Sequence, residues 1–543
     1  MNERANDEPL SSGAGVHLIG CNTAQCRSAD PRHLSAGDIG FKAHNLARMA
    51  HIGLPVPPAF VLDTRYCRDA EARKAASSRE VWGHALQAVE RAAGKRFCDP
   101  GNPLLVSVRS GAPVSMPGML GTLLNIGLCD ATIAGMLRQT GNPRLVWDTY
   151  RRLVANYGEL VEGMPVKVFE TEYEALAGAR NEQTLDFSEL RELTHRYLAA
   201  YKRVAGRPFP QDPQQQLAGA VGAVLGSWQS PKASTYRSRY GISDAIGTAV
   251  TVQAMVFGNT GGRSGAGVGF TRNPVSGEAT LWVDFLFNAQ GEDVVSGRRS
   301  AFGLEELERS LPAAWCALRD AAAKLELEFA DMQDFEFTVQ DGRLYMLQSR
   351  SGKRTAQAAA QIALDLLDEG VISAAVARER TSELNPAALV STRVAAEDGY
   401  APLPLVHATS ASIGVATGEI AFDEAHARER HSAGVPVILV RRDAETDDLA
   451  ALDVATGLLT QRGARTSHAA VVARQLGKVC LVGCSALRLD GSARTLRIGD
   501  VVMHEGDTLT LDSGDGSVYA GAVHTLVEPL VGLRTRLERL RAR

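Results

Sequence analysis

The segment 463–477, which reads GARTSHAAVVARQLG, carries the residue types and spacing best suited to covalent chemistry. Thr466 or Ser467 can act as a helix N-cap, a run of Ala, Val and Leu follows, and Gly477 is a natural helix end. The pattern therefore places His468 in the first turn of a helix, where the helix dipole disfavours a protonated ring and favours a bound anion. This position suits a nucleophilic histidine that later carries a phosphoryl group. It also suits a histidine that only caps its own helix.

Three stretches earlier in the chain supply what a polyphosphate needs, namely fixed cations, backbone amides and oxygen ligands for a divalent metal. Each stretch alone is equally well explained by a solvated side chain or an ordinary turn. They are residues 37–60 with Lys42 at the start of a helix, residues 104–128 with Arg109 at a strand end, and residues 255–278 with a glycine-rich turn before Thr271, Arg272 and Asn273.

Hydrophobic periodicity predicts the helices and strands that must position these residues, in an α/β or α+β mixture. Helices are predicted over 44–52, 144–160, 304–328 and 356–369. Strands are predicted over 103–109, 249–257, 280–287, 333–339, 343–349, 436–441, 478–482, 501–503 and 507–511. The end of the chain predicts a short helix with Leu533, Leu537 and Leu540 on one face. We interpret this helix either as a docking element for a partner or as a leftover linker helix.

Composition limits the class of protein. The 543 residues are 45% hydrophobic, which excludes a largely disordered or fibrous chain. Lys and Arg number 58 against 62 Asp and Glu, and this net charge of −4 does not favour nucleic-acid binding. No apolar run approaches the roughly 18 residues of a membrane span, and the acidic N-terminus is unlike a secretory signal. We expect a soluble, cytoplasmic protein that uses neither nucleic acid nor membrane as a partner.

Together and in this order, the motifs resemble the pyruvate, phosphate dikinase family of PEP-utilising enzymes. The string LLTQRGARTSHAAVVARQLGKVCLVGC is similar to the phosphohistidine motif, and Ser467 favours the dikinases over the synthases, which usually have cysteine there. The strings SVRSGAPVSMPGM, FTRNP, NAQGEDVVSG, MQDFEF and LQSRSGKRT are similar to the ATP-grasp region. The resemblance covers about residues 35–523.

The resemblance implies a multidomain α/β and α+β fold, in which an ATP-grasp nucleotide-binding region is followed by a swivelling β/β/α phosphohistidine domain. The expected organisation is a flexible leader over 1–34, the ATP-grasp region over 35–355, a helical linker over 356–405, the phosphohistidine domain over 406–523 and a C-terminal helix over 524–543.

The same resemblance implies the site residues and the cofactors, ATP and Mg²⁺. His468 carries the phosphoryl group, Lys42 and Arg109 contact the phosphates of ATP, and residues 253–256 hold the adenine. Glu336 and Gln348 are the implied magnesium ligands. The implied nucleotide contacts are Lys42, Arg109, Gln253, Met255, Val256, Ser264, Gly265, Thr271, Arg272, Glu292, Asp334 and Arg350.

The register of one predicted hairpin tests the metal assignment. Residues 333–349 are expected to turn at Asp341 and Gly342. A two-residue loop would pair Glu336 with Leu347, and Gln348 would then point to the other face. Glu336 and Gln348 can bind the same metal ion only if the loop has three residues and Gly342 forms a bulge. We predict that bulge.

The chain departs from the family pattern at several positions, while the main cations and carboxylates remain. We expect altered affinity or turnover, and the loss of a hydroxyl close to the phosphates at Ala266. The departures are Gly40-Phe41-Lys42-Ala43 for Gly-Gly-Lys-Gly, Gly121 for Asp, Ala266 for Thr, Val283-Asp284 for Gly-Glu, and Gly463-Ala464-Arg465 for Gly-Gly-Met.

The resemblance also implies a pyruvate-binding TIM barrel, which needs at least about 200 residues, and we expect it to be missing here. Three hypotheses follow. The chain is a phosphotransferase component that forms AMP and passes the group from His468 to an acceptor, such as pyruvate on a separate PEP/pyruvate-binding subunit. It is a kinase for a different small molecule. It is a non-catalytic, nucleotide-binding regulatory protein. Whether inorganic phosphate or water takes the second phosphoryl group stays open, as does a homo-oligomeric state.

Overall fold

The chain forms two compact units in the computed structural model, which describes residues 15–21, 28–114, 116, 120–178, 180, 182–295, 304–396, 402–443 and 448–542. The first unit contains residues up to Gly261 together with 345–348, and the second contains 262–344 and 349–543. This division falls inside the region 35–355 that was predicted as a single nucleotide-binding domain. Each unit is described separately below.

The first unit is built on an antiparallel sheet. Its strands are β1 (Val16–Ile19), β2 (Ala59–Leu62), β3 (Val106–Gly111), β4 (Thr122–Ile126) and β5 (Ala249–Ala254), in the order β1-β2-β5-β3-β4. One face, with Phe60, Val108 and Val252, packs into the main hydrophobic core. Side chains alternate along a strand, so Arg109 and Thr251 lie on the other face.

In the described part of the first unit, ten α-helices accompany this sheet. The helix predicted over 144–160 lies within one of them, and the helix predicted over 44–52 lies within another except for its last residue, Ile52. The helices are α1 (Ala36–His51), α2 (Arg65–Arg68), α3 (Ala70–Ala75), α4 (Arg79–Ala93), α5 (Ile133–Thr140), α6 (Pro143–Val161), α7 (Lys167–Ala177), α8 (Phe187–Ala205), α9 (Pro213–Ser227) and α10 (Pro231–Tyr240).

The leader predicted over 1–34 is not flexible throughout. Strand β1 pairs in register with β2, from Val16 opposite Leu62 to Ile19 opposite Ala59. Val16 and Leu18 are buried in the core, and their burial stabilises the strand. The strand was missed because the residues on both sides of it are mostly polar. Residues 1–14 and 22–27 of the predicted leader lie outside the described residues.

The second unit begins with a sheet formed by β6 (Gly265–Phe270), β7 (Trp282–Phe287), β8 (Gln333–Gln340) and β9 (Arg343–Ser351), in the order β7-β6-β8-β9. Residues 345–348 of β9 are grouped with the first unit. Three glycines of the stretch predicted to form a turn, Gly265, Gly267 and Gly269, are therefore part of an inner strand, whereas Gly258, Gly261 and Gly262 precede it. A Cβ atom on Gly265, Gly267 or Gly269 would lie within 2.7 Å of an aromatic ring of a neighbouring strand. These glycines make room for phenylalanine rings, which the pattern of a glycine-rich turn does not reveal.

The remaining strands are β10 (Val390–Val394), β11 (Val406–His407), β12 (Thr409–Ser410), β13 (Val415–Ala421), β14 (Val437–Arg441), β15 (Gly457–Thr460), β16 (Val479–Val482), β17 (Leu487–Asp490), β18 (Thr495–Ile498), β19 (Val501–His504), β20 (Thr508–Asp512), β21 (Ser517–Ala520) and β22 (Thr525–Pro529). Eight of them form one sheet in the order β11-β21-β20-β13-β14-β15-β16-β12, and β17-β18-β19 form another. Strands β10 and β22 pair with each other where the chain enters and leaves this region.

The helices of the second unit are α11 (Gly291–Val295), α12 (Leu304–Ser310), α13 (Pro312–Phe329), α14 (Ala356–Asp368), α15 (Ala374–Thr381), α16 (Glu424–Ser432), α17 (Leu449–Val454), α18 (His468–Gln475) and α19 (Val531–Ala542). Across the described ranges, we find no helix with the length and apolar character that crossing a bilayer requires.

The C-terminal helix α19 was misinterpreted from the sequence. Leu533, Leu537 and Leu540 do share one face, as predicted, but that face is buried in a cluster with Ile362 and Leu366 of α14. The apolar face is thus covered by the second unit itself. The leucines belong to the core of this unit, so α19 is neither a leftover linker helix nor a docking element that uses this face.

Candidate functional site

The start of α1 is pressed against the end of β3 in the first unit. The Phe41 amide donates to the Ala112 carbonyl at 3.2 Å. Gly40 has a φ of +77°, and a Cβ atom there would lie only 2.0 Å from the Gly111 carbonyl oxygen. The Lys42 Cβ lies 4.0 Å from the position that a Cβ on Gly111 would occupy. Lys42, which is exposed, is thereby fixed beside the end of the strand that carries Arg109.

This contact makes Gly40 a test of how the first unit fixes Lys42. We expect Gly40→Ala to lower the free energy of unfolding by about 3 kcal/mol, because it adds a clash to an unfavourable backbone conformation. Gly53 is a matched control, since its φ is +78° and a Cβ atom added there would have no other atom within 4 Å. Gly53→Ala should cost only about 1 kcal/mol. Urea denaturation of the full chain measures both, and equal losses would contradict the close approach.

Arg109 has an unsatisfied polar group. Its Nε atom is buried and has no hydrogen-bond partner among the described residues. Thr251 lies directly opposite Arg109 on β5, and its buried Oγ1 atom also lacks a partner in this part of the chain. Adjacent buried polar atoms without partners are costly unless a ligand or water satisfies them. The pair fits an anionic ligand at this face of the sheet, and Thr251 was missed because its strand reads as an ordinary apolar run.

The segment predicted to hold adenine contains the end of β5 and the residues that follow it. The Gln253 side chain is buried and donates to the Pro57 carbonyl at 3.2 Å. The Met255 amide donates to the Leu105 carbonyl at 2.9 Å, whereas the Met255 and Val256 side chains are half-buried. The segment is thus tied to two neighbouring strands, while its role in adenine binding stays a prediction.

Strand β8 of the second unit separates polar from aromatic side chains. Asp334 and Glu336 alternate with Phe335 and Phe337, so the two carboxylates share one face of the sheet. Asp334 is buried and accepts a hydrogen bond from the Arg350 Nε at 2.8 Å. Burial raises the pKa of the Asp334 carboxyl, although Arg350 opposes this shift. Glu336 is half-buried on the same strand.

The predicted bulge at Gly342 is wrong. Strand β8 ends at Gln340 and β9 begins at Arg343, and Asp341 and Gly342 have φ values of +52° and +83°. Two successive residues with positive φ are typical of a tight two-residue hairpin turn. Our argument for metal ligation from the turn therefore fails.

At the end of the hairpin away from the turn, the pairing of the two strands is shifted by one residue, as the predicted bulge would have shifted it. The Gly352 amide donates to the Met332 carbonyl at 3.1 Å, whereas an uninterrupted two-residue hairpin would place Ser351 opposite Met332. The contact between Arg350 and Asp334 agrees with this shifted register. An irregularity therefore lies between the turn and Arg350, and the assignment of Glu336 and Gln348 stays a prediction.

Ser264 and Gly265 have structural roles in the second unit. The buried Ser264 hydroxyl accepts a hydrogen bond from the Asp341 amide at 2.8 Å, so it holds the hairpin turn. Gly265 packs beneath the Phe285 ring. Ala266 lies in an apolar cluster with Val268 and Leu286. Because Ala266 and Val268 are two residues apart on β6, Ala266 lies on the same face of the sheet as Glu336. The expectation that Ala266 removes a hydroxyl close to the phosphates stays a prediction.

Thr271 and Arg272 belong to a network of hydrogen bonds with acidic side chains. The Thr271 hydroxyl donates to Glu326 at 2.9 Å. Arg272 is 2% exposed and donates to Glu326 at 2.7 Å and Glu369 at 2.6 Å. Although burial opposes its charge, these carboxylates raise the Arg272 pKa. The acidic partners are far along the chain and could not be predicted from the motif, and the role of Thr271 and Arg272 as nucleotide contacts stays a prediction.

The two remaining predicted site residues lie on helices. Glu292 is in α11 and His468 begins α18, and the side chains of both lie outside the described part of the structure. Helix α18 starts and ends as predicted: Ser467 is its N-cap residue, and Gly477 follows with a φ of +66°. The Ser467 hydroxyl makes no capping hydrogen bond. The Ser467 side chain therefore does not compete for the amides of the first turn.

The loop of residues 463–467, here called the His468 loop, lies on the four-stranded sheet of the second unit. The Thr466 amide donates to Asp284 Oδ2 at 3.0 Å, and the Arg465 Nε donates to Asp284 Oδ1 at 3.2 Å. The Arg465 Nη2 also donates to the Val283 carbonyl at 3.1 Å. Asp284 and Arg465 had been noted only as departures from the family pattern, and their contact was missed.

Asp284 shares the face of the sheet that carries the β8 carboxylates. Val268 of β6 lies opposite Asp284 on one side and opposite Glu336 on the other. Directly opposed residues project to the same face, and two strand spacings separate Asp284 from Glu336 by about 10 Å. The His468 loop is therefore held on the face with Asp334 and Glu336.

The donor set is compatible with magnesium bound mainly by a ligand. Within the described residues, no group of three or more His, Cys, Asp and Glu side chains gathers to hold a metal. Magnesium is commonly held by one or two protein carboxylates, with phosphate oxygens and water completing the shell. Glu336, which is half-buried on the carboxylate face, fits that pattern.

The fold and these residues define a mixed α/β multidomain protein that combines an ATP-grasp-type region with a domain carrying a histidine at a helix start. The family described as pyruvate phosphate dikinase, AMP/ATP-binding domain, matches residues 70–302 and 308–370. The family described as PEP-utilising enzyme, mobile domain, matches residues 434–516. The chain belongs to the pyruvate phosphate dikinase family, as the motifs predicted.

Curated relatives agree with this assignment. Pyruvate, phosphate dikinase of Clostridium symbiosum is 42% identical over 90% of this chain and 56% of its own length. The Rhizobium meliloti enzyme of the same name is 41% identical over 95% of this chain and 59% of its own length. Pyruvate, phosphate dikinase 2 of Zea mays is 42% identical, over 89% and 55% respectively. The chain thus spans little more than half the length of these relatives.

Proposed function

We propose that this chain is an ATP-dependent phosphotransferase in which His468 takes a phosphoryl group from ATP and AMP is released. The position of the His468 loop supports the proposal most directly. Through Arg465 and Thr466 it is held on the sheet face of Asp334 and Glu336. Phosphoryl transfer depends on positioning and on fixed charge, so a nucleophile loop on a carboxylate face is a suitable arrangement.

In the first unit, Lys42 and Arg109 are the cations that we propose for the phosphates. Lys42 is fixed by the close approach at Gly40, and Arg109 has a buried Nε without a partner. A fixed cation stabilises charge on the transferring group without a reorganisation cost at the moment of reaction. The unsatisfied Thr251 hydroxyl beside Arg109 is a further candidate for a polar contact.

For magnesium, we propose Glu336 and Gln348 as the ligands. When bound, the metal would neutralise charge on the phosphates. Asp334 holds Arg350 at 2.8 Å, and that pairing orients the guanidinium of a half-exposed side chain. Arg350 is therefore the candidate in the second unit for a nucleotide contact.

The proposed reaction begins with a neutral His468 ring. A ring nitrogen attacks the β-phosphorus of ATP, the bond from that phosphorus to the oxygen bridging the α-phosphate breaks, and AMP leaves. A pyrophosphoryl group then resides on His468. Transfer of its terminal phosphoryl group to inorganic phosphate, or to water, leaves phosphohistidine. Placement at the start of α18 favours this chemistry, because the helix dipole stabilises the anionic group.

The acceptor that receives the group from phosphohistidine is the least determined part of the proposal. The relatives are named pyruvate, phosphate dikinase, and pyruvate is therefore the first acceptor to test. We propose that the acceptor-binding part is supplied by a further region of a longer chain or by a separate PEP/pyruvate-binding subunit. A kinase for a different small molecule would share the first half-reaction, so an acceptor screen separates the two.

Position-specific labelling of ATP tests the proposal. Purified protein with Mg²⁺ is incubated with ATP labelled at either the β or the γ phosphorus, without added phosphate. We expect acid-labile label on the protein from both positions, together with stoichiometric AMP. Label from the γ position alone with ADP would indicate ordinary kinase chemistry. ATP binding without any label would favour the regulatory alternative and contradict the proposed function.

A further inference from the structure

The contacts of the His468 loop extend beyond Asp284 to an aromatic side chain. The guanidinium carbon of Arg465 lies 4.7 Å from the centroid of the Trp282 ring, and that of Arg474 lies 4.9 Å from it. Both distances fall within the range of cation–π attraction. Arg465 thus contacts three successive residues of β7 through its guanidinium group: the Trp282 ring, the Val283 carbonyl and the Asp284 carboxylate.

Among the described strands, β7 lies at the edge of its sheet, with β6 as its neighbour in the strand order. An edge strand has backbone groups that no other strand pairs. Arg465 donates to one of these, the Val283 carbonyl, so the loop covers part of an open edge. A guanidinium group suits this position because it is planar. Its N–H groups can donate to a carboxylate and to a carbonyl while its face stacks on an aromatic ring.

Arg474 supports the loop from within its own domain. Its side chain is 1% exposed, and it donates to the Ala411 carbonyl and to the Arg465 carbonyl, each at 3.0 Å. Burial lowers the Arg474 pKa to about 10, so the group stays charged at neutral pH. The nearby carboxylates of Asp284 and Asp334 balance this charge. Arg474 therefore fixes the backbone at Arg465, whose side chain makes the contacts with β7.

We propose that Arg465 is a positioning residue which holds the His468 loop docked on β7, and that its contacts determine how often the loop occupies this sheet. The proposal rests on the proposed function only for its catalytic consequence, since docking itself is independent of ATP. The same contacts must break before the histidine can leave the sheet. Arg465 therefore affects both the arrival of His468 at the carboxylate face and its departure.

Hydrogen–deuterium exchange of the full chain without nucleotide tests the docking. We expect Arg465→Met to raise amide exchange in the loop 463–467 and in β7 by about tenfold or more, because charge-assisted hydrogen bonds are lost. Exchange in β14 and β15, within the core of the same domain, should be unchanged. Increased exchange in those strands as well would mean that the substitution unfolds the domain and would overturn the proposal.

Two further variants make the test specific. Arg462→Met removes an exposed arginine that belongs to the same loop region and lies 3.9 Å from Asp443. It should leave exchange in β7 unchanged. Arg465→Lys keeps the positive charge but loses the paired N–H donors of the guanidinium group. Amide exchange in the loop 463–467 and in β7 should therefore lie between that of wild-type protein and that of Arg465→Met. Full protection in Arg465→Met would overturn the proposal.

Single-turnover labelling gives the catalytic readout. Arg465→Met should slow the appearance of label on His468 by about tenfold, while the Kd for ATP stays unchanged. If wild-type protein takes no label, the proposed function fails, but the exchange result still decides whether Arg465 docks the loop. If wild-type and Arg465→Met label at the same rate, Arg465 does not position the histidine.

Discussion

His468→Ala is expected to abolish ATP-dependent labelling of the protein while ATP binding persists. The imidazole is the group that we propose to form the bond to phosphorus. Its removal therefore eliminates the nucleophile itself. The α18 backbone should tolerate alanine well, because alanine is the best helix former. Acid-labile label is measured after a single turnover, and nucleotide binding is measured by equilibrium dialysis.

His504→Ala is the matched control for this experiment. His504 lies on β19 in the same domain, and its side chain is 68% exposed. Its replacement should leave both labelling and nucleotide binding unchanged. Acid-labile label persisting in His468→Ala would identify another nucleophile and would overturn the assignment of His468. Loss of ATP binding in the same variant would instead indicate damage to the fold.

Arg109→Met is expected to lower the rate of labelling by about 10²–10³-fold, which is the usual effect of removing a fixed charge-stabilising group. The larger part of this effect should appear in the rate at saturating ATP, since the developing charge is greater in the transition state than in bound ATP. Methionine keeps much of the side-chain volume, and the buried Nε loses no partner in the protein. Single-turnover rates over a range of ATP concentrations give both quantities.

An exposed arginine of the same unit provides the control for this substitution. Arg96 is exposed, and Arg96→Met should change the labelling rate less than about twofold, because its charge is screened by water. If Arg109→Met changes only the affinity for ATP, Arg109 contributes uniform binding and does not stabilise the transition state. An unchanged rate and an unchanged affinity would exclude Arg109 from the site.

Local patterns predicted the elements whose start, end and turn are marked by residues within the element itself. The helix that begins at His468 was expected from its N-cap residues and Gly477, and both of its ends agree with the structure. The hairpin between Gln333 and Ser351 was expected from alternation and from the Asp341-Gly342 turn. The turn type was mispredicted. The shift in strand pairing occurs between the turn and Arg350, so the residues of the turn do not reveal it.

Contacts between distant segments could not be predicted from the residues alone. Arg272 resembles a phosphate ligand in sequence, but its carboxylate partners lie 54 and 97 residues away. Asp284 and Arg465 are 181 residues apart, and each had been noted only as a departure from a motif. In the structure the Arg465 guanidinium donates a hydrogen bond to the Asp284 carboxylate.

The glycines of β6 illustrate the same limit. A stretch rich in glycine suggests a turn, because glycine tolerates unusual backbone angles. Here Gly267 and Gly269 are required by the Phe337 and Phe335 rings, which come within 2.4 Å and 2.7 Å of where a Cβ would lie. The pairing partner had to be known before the glycines could be interpreted. The carboxylate partner shared by the adjacent Thr271 and Arg272, Glu326, could not be predicted for the same reason.

The pairing of β10 with β22 has a consequence for affinity. Their five paired positions, from Val390 opposite Pro529 to Val394 opposite Thr525, join the two ends of the region between them. A domain tethered at both ends by one short ribbon searches a small volume, so the effective concentration of its loop at β7 is on the order of millimolar. Weak contacts at Arg465 are then sufficient for frequent docking, and a weak contact can also be released quickly. The ribbon thus allows the loop to bind the sheet often without binding it permanently.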